Sequence, residues 1–186
     1  MPAKNTLETD RLLLRPFQRK DAAVVQRILT HPQVVATLLD SPHPVEIPDA
    51  KLWIRLEQAL RRRGERFGFG VVLKEEKRLI GGIDIELQTE HKRGDIAYWL
   101  HPEFWGRGLV TEAAARVLIY GFEELQLHRI YAQCMQSNSA SARVLEKIGL
   151  VREAVLRQHH LKDGEWVDIV MYGLTRATEP DSREST

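Results

Sequence analysis

The chain has 186 residues, 43% of them hydrophobic and 28% charged, which suits one globular domain with a sizeable core. A net charge of +1 gives no reason to expect a nucleic-acid partner or an anionic membrane surface, and the single cysteine, Cys134, rules out an intrachain disulfide. No apolar run approaches the ~20 residues of a membrane-spanning helix, and the opening Met-Pro-Ala-Lys-Asn-Thr lacks a signal-peptide core, so the expected compartment is the cytoplasm.

Residues 177–186 read as a flexible polar tail, leaving 7–176 as a single domain without linker or repeat. Arg11-Leu12-Leu13-Leu14-Arg15, stopped by Pro16, predicts a first strand. Asp21 opens a short amphipathic helix to about Leu29. Prolines at 32, 42, 44 and 48 predict a loop over residues 30–48 with at most one helical turn. Asp49 is the expected cap of a second helix carrying Leu52, Trp53, Leu56, Ala59 and Leu60, and Arg61-Arg62-Arg63 supplies cations to its C-terminal end. Strand-like runs at Phe67–Leu73, Leu79–Leu87 and Asp95–Leu100, joined by short charged turns, predict an antiparallel meander. A long helix from Gly108 to Glu124, a strand over Arg129–Met135 and a helix over Ser139–Lys147 stopped by Gly149 follow. Strands over Val151–His159 and Glu165–Thr175, turned at Asp163-Gly164, complete the chain.

Two strand-to-helix junctions carry chemistry. Trp105-Gly106-Arg107-Gly108-Leu109-Val110-Thr111-Glu112-Ala113 lies between the strand ending at Leu100 and the long helix. Glycines let the backbone curl close to a ligand, and the first turn of a helix offers unpaired N–H donors and a partial positive charge. A phosphate or pyrophosphate is the natural guest. At the second junction, Asn138 precedes a helix whose first turn holds Ser141. An Asn there caps the helix in its ordinary use, and small polar residues beside a glycine turn also suit an extended, amide-bearing ligand.

The whole chain resembles the GNAT superfamily of acetyl-CoA-dependent N-acetyltransferases, and within it the branch of the ribosomal-protein alanine N-terminal acetyltransferases. The resemblance is carried by Leu7-Glu8-Thr9-Asp10-Arg11-Leu12-Leu13-Leu14-Arg15, by Trp105-Gly106-Arg107-Gly108 with Thr111-Glu112-Ala113, by Asn138, Ser141 and Glu146-Lys147-Ile148-Gly149-Leu150, and by Trp166-Val167-Asp168 with Tyr172-Gly173-Leu174. It implies an α/β (α+β) fold: a mixed, mostly antiparallel sheet of about seven strands flanked by about four helices and splayed between the strands at 95–100 and 129–135. It also implies that acetyl-CoA lies in the splay. Its pantetheine arm would run along Tyr98, Trp99 and Leu100, with its pyrophosphate on the amides of Gly106, Arg107, Gly108, Leu109, Val110 and Thr111. Asn138 would contact the arm, in competition with its use as a cap, and Ser141 would sit near the thioester sulfur.

The chain departs from the superfamily pattern at two places. Glu103 puts a carboxylate near the pyrophosphate and has to point away. Leu145 stands where many members place the Tyr that protonates the leaving thiolate, which makes Ser141 the candidate proton donor. Aminolysis of a thioester needs a neutral amine, a polarised carbonyl and a stabilised thiolate; a backbone N–H around Tyr98–Leu100 suits the carbonyl. Three residues are candidate bases: Glu86, late in the meander strand; His160, where the ribosomal-protein branch carries a glutamate; and His101, after the strand. Tyr98 and Trp99 alternate, so one is expected in the cleft and the other in the core. Cys134, Trp53, Phe67 and Phe69 read as core, while His31, Asp40 and His43 could touch an acceptor. The histidines show no metal-ligand spacing, so no metal is expected. The expected partners are acetyl-CoA and an amine acceptor, either a peptide N-terminus or a small amine. The last two strands would allow a homodimer. An acyl-CoA-binding sensor without turnover is the alternative that Leu145 and Glu103 motivate.

Overall fold

The computed structural model describes residues 6–39 and 46–176. Asp40, His43 and the tail at 177–186 lie outside them. Strands β1 (Leu7–Glu8) and β2 (Leu12–Arg15) lead into helices α1 (Ala22–Leu29), α2 (Pro32–Val35) and α3 (Ile47–Arg63). The meander follows as β3 (Arg66–Leu73), β4 (Arg78–Gln88) and β5 (Arg93–Leu100). Helix α4 (Leu109–Ile119) continues as a π turn over Tyr120–Glu124. Then come β6 (Arg129–Met135), α5 (Ser139–Lys147), β7 (Val151–Lys162) and β8 (Glu165–Thr175). Among the described residues, the eight strands form one mixed, mostly antiparallel sheet in the order β1-β2-β3-β4-β5-β6-β8-β7.

Three local features differ from the sequence expectation. The extra strand is β1, whose two residues pair as Leu7↔Leu14 and Glu8↔Leu13 and are too few to show an alternation. Helix α3 starts earlier than Asp49. Glu46 is its N-cap, Pro48 sits in the first turn where a missing N–H costs nothing, and Asp49 reaches back to accept from the Glu46 N–H at 3.0 Å. Asp49 is therefore the returning arm of a capping box and not the cap. Strand β7 runs past His159 to Lys162 because an irregularity between Leu156 and His160, with Gln158 at φ +48°, lets it rejoin β8.

Period-two alternation gives the sheet two apolar faces. Ile83, Ile85, Ile96 and Leu100 pack with Ala113, Val117, Leu145 and Ile148 of α4, α5 and the turn after α5 in the larger core. On the opposite face Phe17, Val25, Leu29, Ala50 and Ile54 form a second core under α1 and α3. The feature that makes a site is the β5–β6 junction. These strands run parallel and pair only at Arg93↔Arg129, Gly94↔Ile130 and Asp95↔Tyr131. Beyond that β5 stays on β4 through Leu100, while β6 follows β8 through Met135, so the sheet opens into a V.

Candidate active site

The V is the floor of a cleft of about 730 Å³. One wall is the glycine turn. Gly106 and Gly108 both take φ +73°, a left-handed conformation that side-chain-bearing residues rarely adopt, and a Cβ at Gly106 would meet only open space. Gly106, Gly108, Leu109, Val110 and Thr111 line the cleft, with Gly108 as N-cap of α4. Arg107 is not among the lining residues: its guanidinium lies over the Phe104 ring, 5.4 Å from the centroid, and its carbonyl accepts from Arg11 Nη1 at 3.0 Å. Arg11 Nε also donates to Glu112 Oε2 at 2.6 Å, and Thr9 Oγ1 donates to Glu112 Oε1 at 2.5 Å. The β1–β2 turn thus braces the glycine turn and the first turn of α4, where a carboxylate is favourable. Glu103 is turned onto Arg78, 2.7 Å away. An open glycine turn, a helix N-terminus and a strand edge left unpaired beyond Asp95 fit a long ligand with an anionic diphosphate and an amide-bearing arm.

At the apex, Tyr98 Oη lies 2.8 Å from Ser141 Oγ and 3.3 Å from the Ser141 carbonyl oxygen. Burial pushes the Tyr98 phenol upward, so it keeps its proton. Asn138 caps α5: its Oδ1 accepts from the Ser141 N–H at 3.0 Å, and its Nδ2 donates to the Thr37 carbonyl at 3.4 Å. Cys134 lines the cleft beside Ser141; burial pushes its thiol up and a hydrogen bond with Ser141 partly offsets this. Leu145, also at the cleft, is 1% exposed.

The other wall combines aromatic and acidic groups. Tyr98 and Trp99 both line the cleft, because a gap through the sheet is open to both of its faces. This corrects the expectation that one of them would be core alone. Trp99 stacks on Phe17 at 6.0 Å and meets Trp53 at 6.3 Å, so Trp53 belongs to the cleft as well, whereas Phe67 and Phe69 are core. Below them Arg66, Asp84, Glu86 and Asp95 line the cleft, with buried Glu57 behind. Glu86 forms a close ion pair with Arg66; Arg66 also meets Glu57 at 3.2 Å and Asp84 at 3.9 Å. Burial is the main cause that lifts Asp84 to about 8, with Arg66 opposing and Glu57, Asp95 and Glu86 adding. Burial and then Glu86 lift Asp95 to about 7. Asp84 and Asp95 were not singled out from the sequence. The available signal was a carboxylate inside the apolar run of each neighbouring strand.

The other two candidate bases sit apart. His160 Nε2 is 3.2 Å from the Leu39 carbonyl oxygen and does not line the cleft. His101 accepts from the Glu103 N–H as N-cap of the turn over 102–104, and its ring packs edge-on against His31 at 5.5 Å. Among the described residues no group of His, Cys, Asp and Glu is arranged to hold a metal, and no helix is long and apolar enough to cross a membrane.

Known proteins similar to this chain share one family and fold. The model of the acetyltransferase (GNAT) domain family matches residues 11–151. The N-acetyltransferase YoaA of Bacillus subtilis is 33% identical over 93% of this chain and 98% of its own. Among solved structures, RimJ of Mycobacterium smegmatis in complex with CoA-disulfide superposes with a TM-score of 0.78 at 26% identity, over 88% of this chain and 81% of that one. The ribosomal-protein-S5-alanine acetyltransferase of Vibrio fischeri superposes with a TM-score of 0.81 at 22% identity, over 92% and 97%.

Proposed function

The chain belongs to the GNAT acetyltransferase family, and from that premise we propose that it transfers the acetyl group of acetyl-CoA directly to a primary amine held in the same cleft. The observation that carries this reading is the parting of β5 from β6 after three pairs, which joins an anion-binding turn and a carboxylate wall in one cavity. Amides of Gly106, Gly108, Leu109, Val110 and Thr111 suit the diphosphate, and the open edge of β5 suits the pantetheine arm. Acetyl-CoA supplies the acyl carbon to which the amine nitrogen bonds as the C–S bond breaks.

This chain's residues then have three tasks. Asp84 and Asp95, held near neutrality, are matched to taking the proton that the nitrogen sheds. Glu86, whose carboxylate is engaged by Arg66, tunes them, and His160, at the Leu39 carbonyl, lies further from that work. Ser141 is the hydroxyl placed to face the leaving sulfur, with Leu145 contributing only packing. The aromatic wall of Trp53 and Trp99 excludes water from the amine side. An acceptor that arrives as a cation suits the carboxylates, which leaves both an α-amine and a small polyamine as candidates.

The test is release of free CoA from acetyl-CoA across peptides with Ala or Ser N-termini, amino acids, polyamines and aminoglycosides. Release with one class identifies the acceptor. Tight acetyl-CoA binding with no release from any amine would overturn transfer in favour of a sensor; Glu103, one motive for that alternative, is already neutralised by Arg78.

A further inference from the structure

A serine on the first turn of a helix ordinarily spends its hydroxyl on nearby backbone, because the Cβ–Oγ bond is free to rotate and a carbonyl is always within reach. Ser141 is held differently. Its N–H is taken by the Asn138 cap, and its Oγ lies 2.8 Å from Tyr98 Oη, contributed by a strand on the far side of the opening between β5 and β6. Tyr98 stands three residues past the last β5–β6 pair, at the level where the two strands have parted. The link therefore crosses the cleft apex beside Cys134 of β6.

A hydroxyl has one hydrogen and two acceptor lone pairs. Two hydrogen-bond arrangements are open to this pair of hydroxyls. In one, Ser141 donates to Tyr98 and Tyr98 donates to the Ser141 carbonyl at 3.3 Å, so that both hydrogens are consumed locally. In the other, Tyr98 donates to Ser141 Oγ and the serine hydrogen turns to the cleft side, where the Cys134 sulfur that shares a hydrogen bond with Ser141 also lies. The two differ only by rotation of two O–H bonds. A negative sulfur in the cleft selects the second, because a hydrogen bond to an anion is roughly twice as strong as one between neutral groups.

We propose that Tyr98 is a positioning residue of the transfer reaction: its hydroxyl holds Ser141 so that the serine hydrogen is directed at the departing thiolate. The proposal rests on the reading of this cleft as the acetyl-CoA site with Ser141 at the sulfur. An aliphatic hydroxyl is a far weaker acid than a thiol, so Ser141 acts by giving a hydrogen bond and stays protonated itself. Tyr98 touches the serine and not the sulfur.

The test uses coenzyme A itself and needs no acceptor. The thiol of bound CoA is titrated through its thiolate ultraviolet absorbance, as a difference between CoA-saturated and free protein, in the wild type, Ser141→Ala, Tyr98→Phe and the double variant. In the wild type the bound thiol titrates below free CoA. Ser141→Ala raises that midpoint by about one pH unit, a tenfold change in thiolate stability. Tyr98→Phe keeps the ring in place and raises the midpoint by at least half as much, and the double variant matches Ser141→Ala alone. With an acceptor, Tyr98→Phe lowers kcat while the KM for acetyl-CoA stays within twofold. A wild-type midpoint in Tyr98→Phe, or additive shifts in the double variant, overturns the positioning by Tyr98 while leaving Ser141 in place. A Ser141→Ala midpoint equal to wild type overturns the placement of Ser141 at the sulfur, and the proposal with it.

Discussion

Asp84 shows how one carboxylate can be costly to the fold and useful to the site. Its folded value of about 8 lies far above the ordinary 3.8, because burial penalises the charge more than Arg66 relieves it. For an acid raised in this way, the stability tied to its protonated form is full below pH 3.8 and is lost as the pH rises toward 8. Asp84→Asn removes the ionisation, so its melting temperature is expected to exceed that of the wild type at pH 8 and to match it closely at pH 4. A scan of melting temperature against pH for both proteins checks this, and a constant difference between them would refute it. The same variant should lose transfer by about a hundredfold or more, the usual scale for a general base. In the sequence, Glu86 stands out because it sits late in its strand, whereas Asp84, two residues earlier, is not singled out. What changes its meaning is the departure of β6, which no residue near Asp84 encodes.

At the scale of elements, the glycine turn is a loop whose shape is fixed from a distance. Arg11 Nη1 holds the Arg107 carbonyl at 3.0 Å, and Arg11 Nε and Thr9 Oγ1 hold Glu112 on the first turn of α4. The ion pair is half exposed and contributes little to stability by itself. Its consequence lies in the orientation of the amides beside it. Arg11→Ala is expected to weaken acetyl-CoA binding severalfold by calorimetry with only a small change in melting temperature. Arg11→Lys should recover part of the loss, since a point charge can meet Glu112 but cannot also reach the Arg107 carbonyl through a planar fork. Unchanged affinity in Arg11→Ala would remove the brace from the argument. Both ends of this contact were visible as sequence motifs, Thr9-Asp10-Arg11 and Thr111-Glu112-Ala113. Nothing in either motif says that they meet, because the register joining residues some hundred positions apart belongs to the packed sheet. Helix α3 failed locally for the opposite reason: Pro48 and Asp49 were legible, but they stand two and three residues inside the cap, which is Glu46.

Across the whole molecule, the second half of the chain reaches over the cleft to hold the first. Lys162 Nζ donates to the Val35 carbonyl at 3.0 Å, Asn138 Nδ2 to the Thr37 carbonyl at 3.4 Å, and His160 Nε2 lies 3.2 Å from the Leu39 carbonyl. Three alternate carbonyls, from Val35 at the end of α2 through Leu39, are thus fastened by β7 and by the cap of α5, and Thr37, Leu38 and Leu39 form part of the cleft lining. The meander could be anticipated from hydrophobic alternation, and the V only as what the family resemblance implies. This clasp could not, because backbone carbonyls carry no side-chain signature. It also gives His160 a task other than proton transfer. The variants His160→Ala and Lys162→Ala should speed amide hydrogen exchange across residues 34–39 while leaving the exchange of Leu109–Thr111 unchanged. With an acceptor in hand, they should raise its KM several-fold and keep kcat within twofold. If His160 were the base, His160→Ala would collapse kcat and Lys162→Ala would not, so comparing the two variants separates a clasp from a catalyst. The clasp reading fails if exchange across 34–39 is unaltered in both.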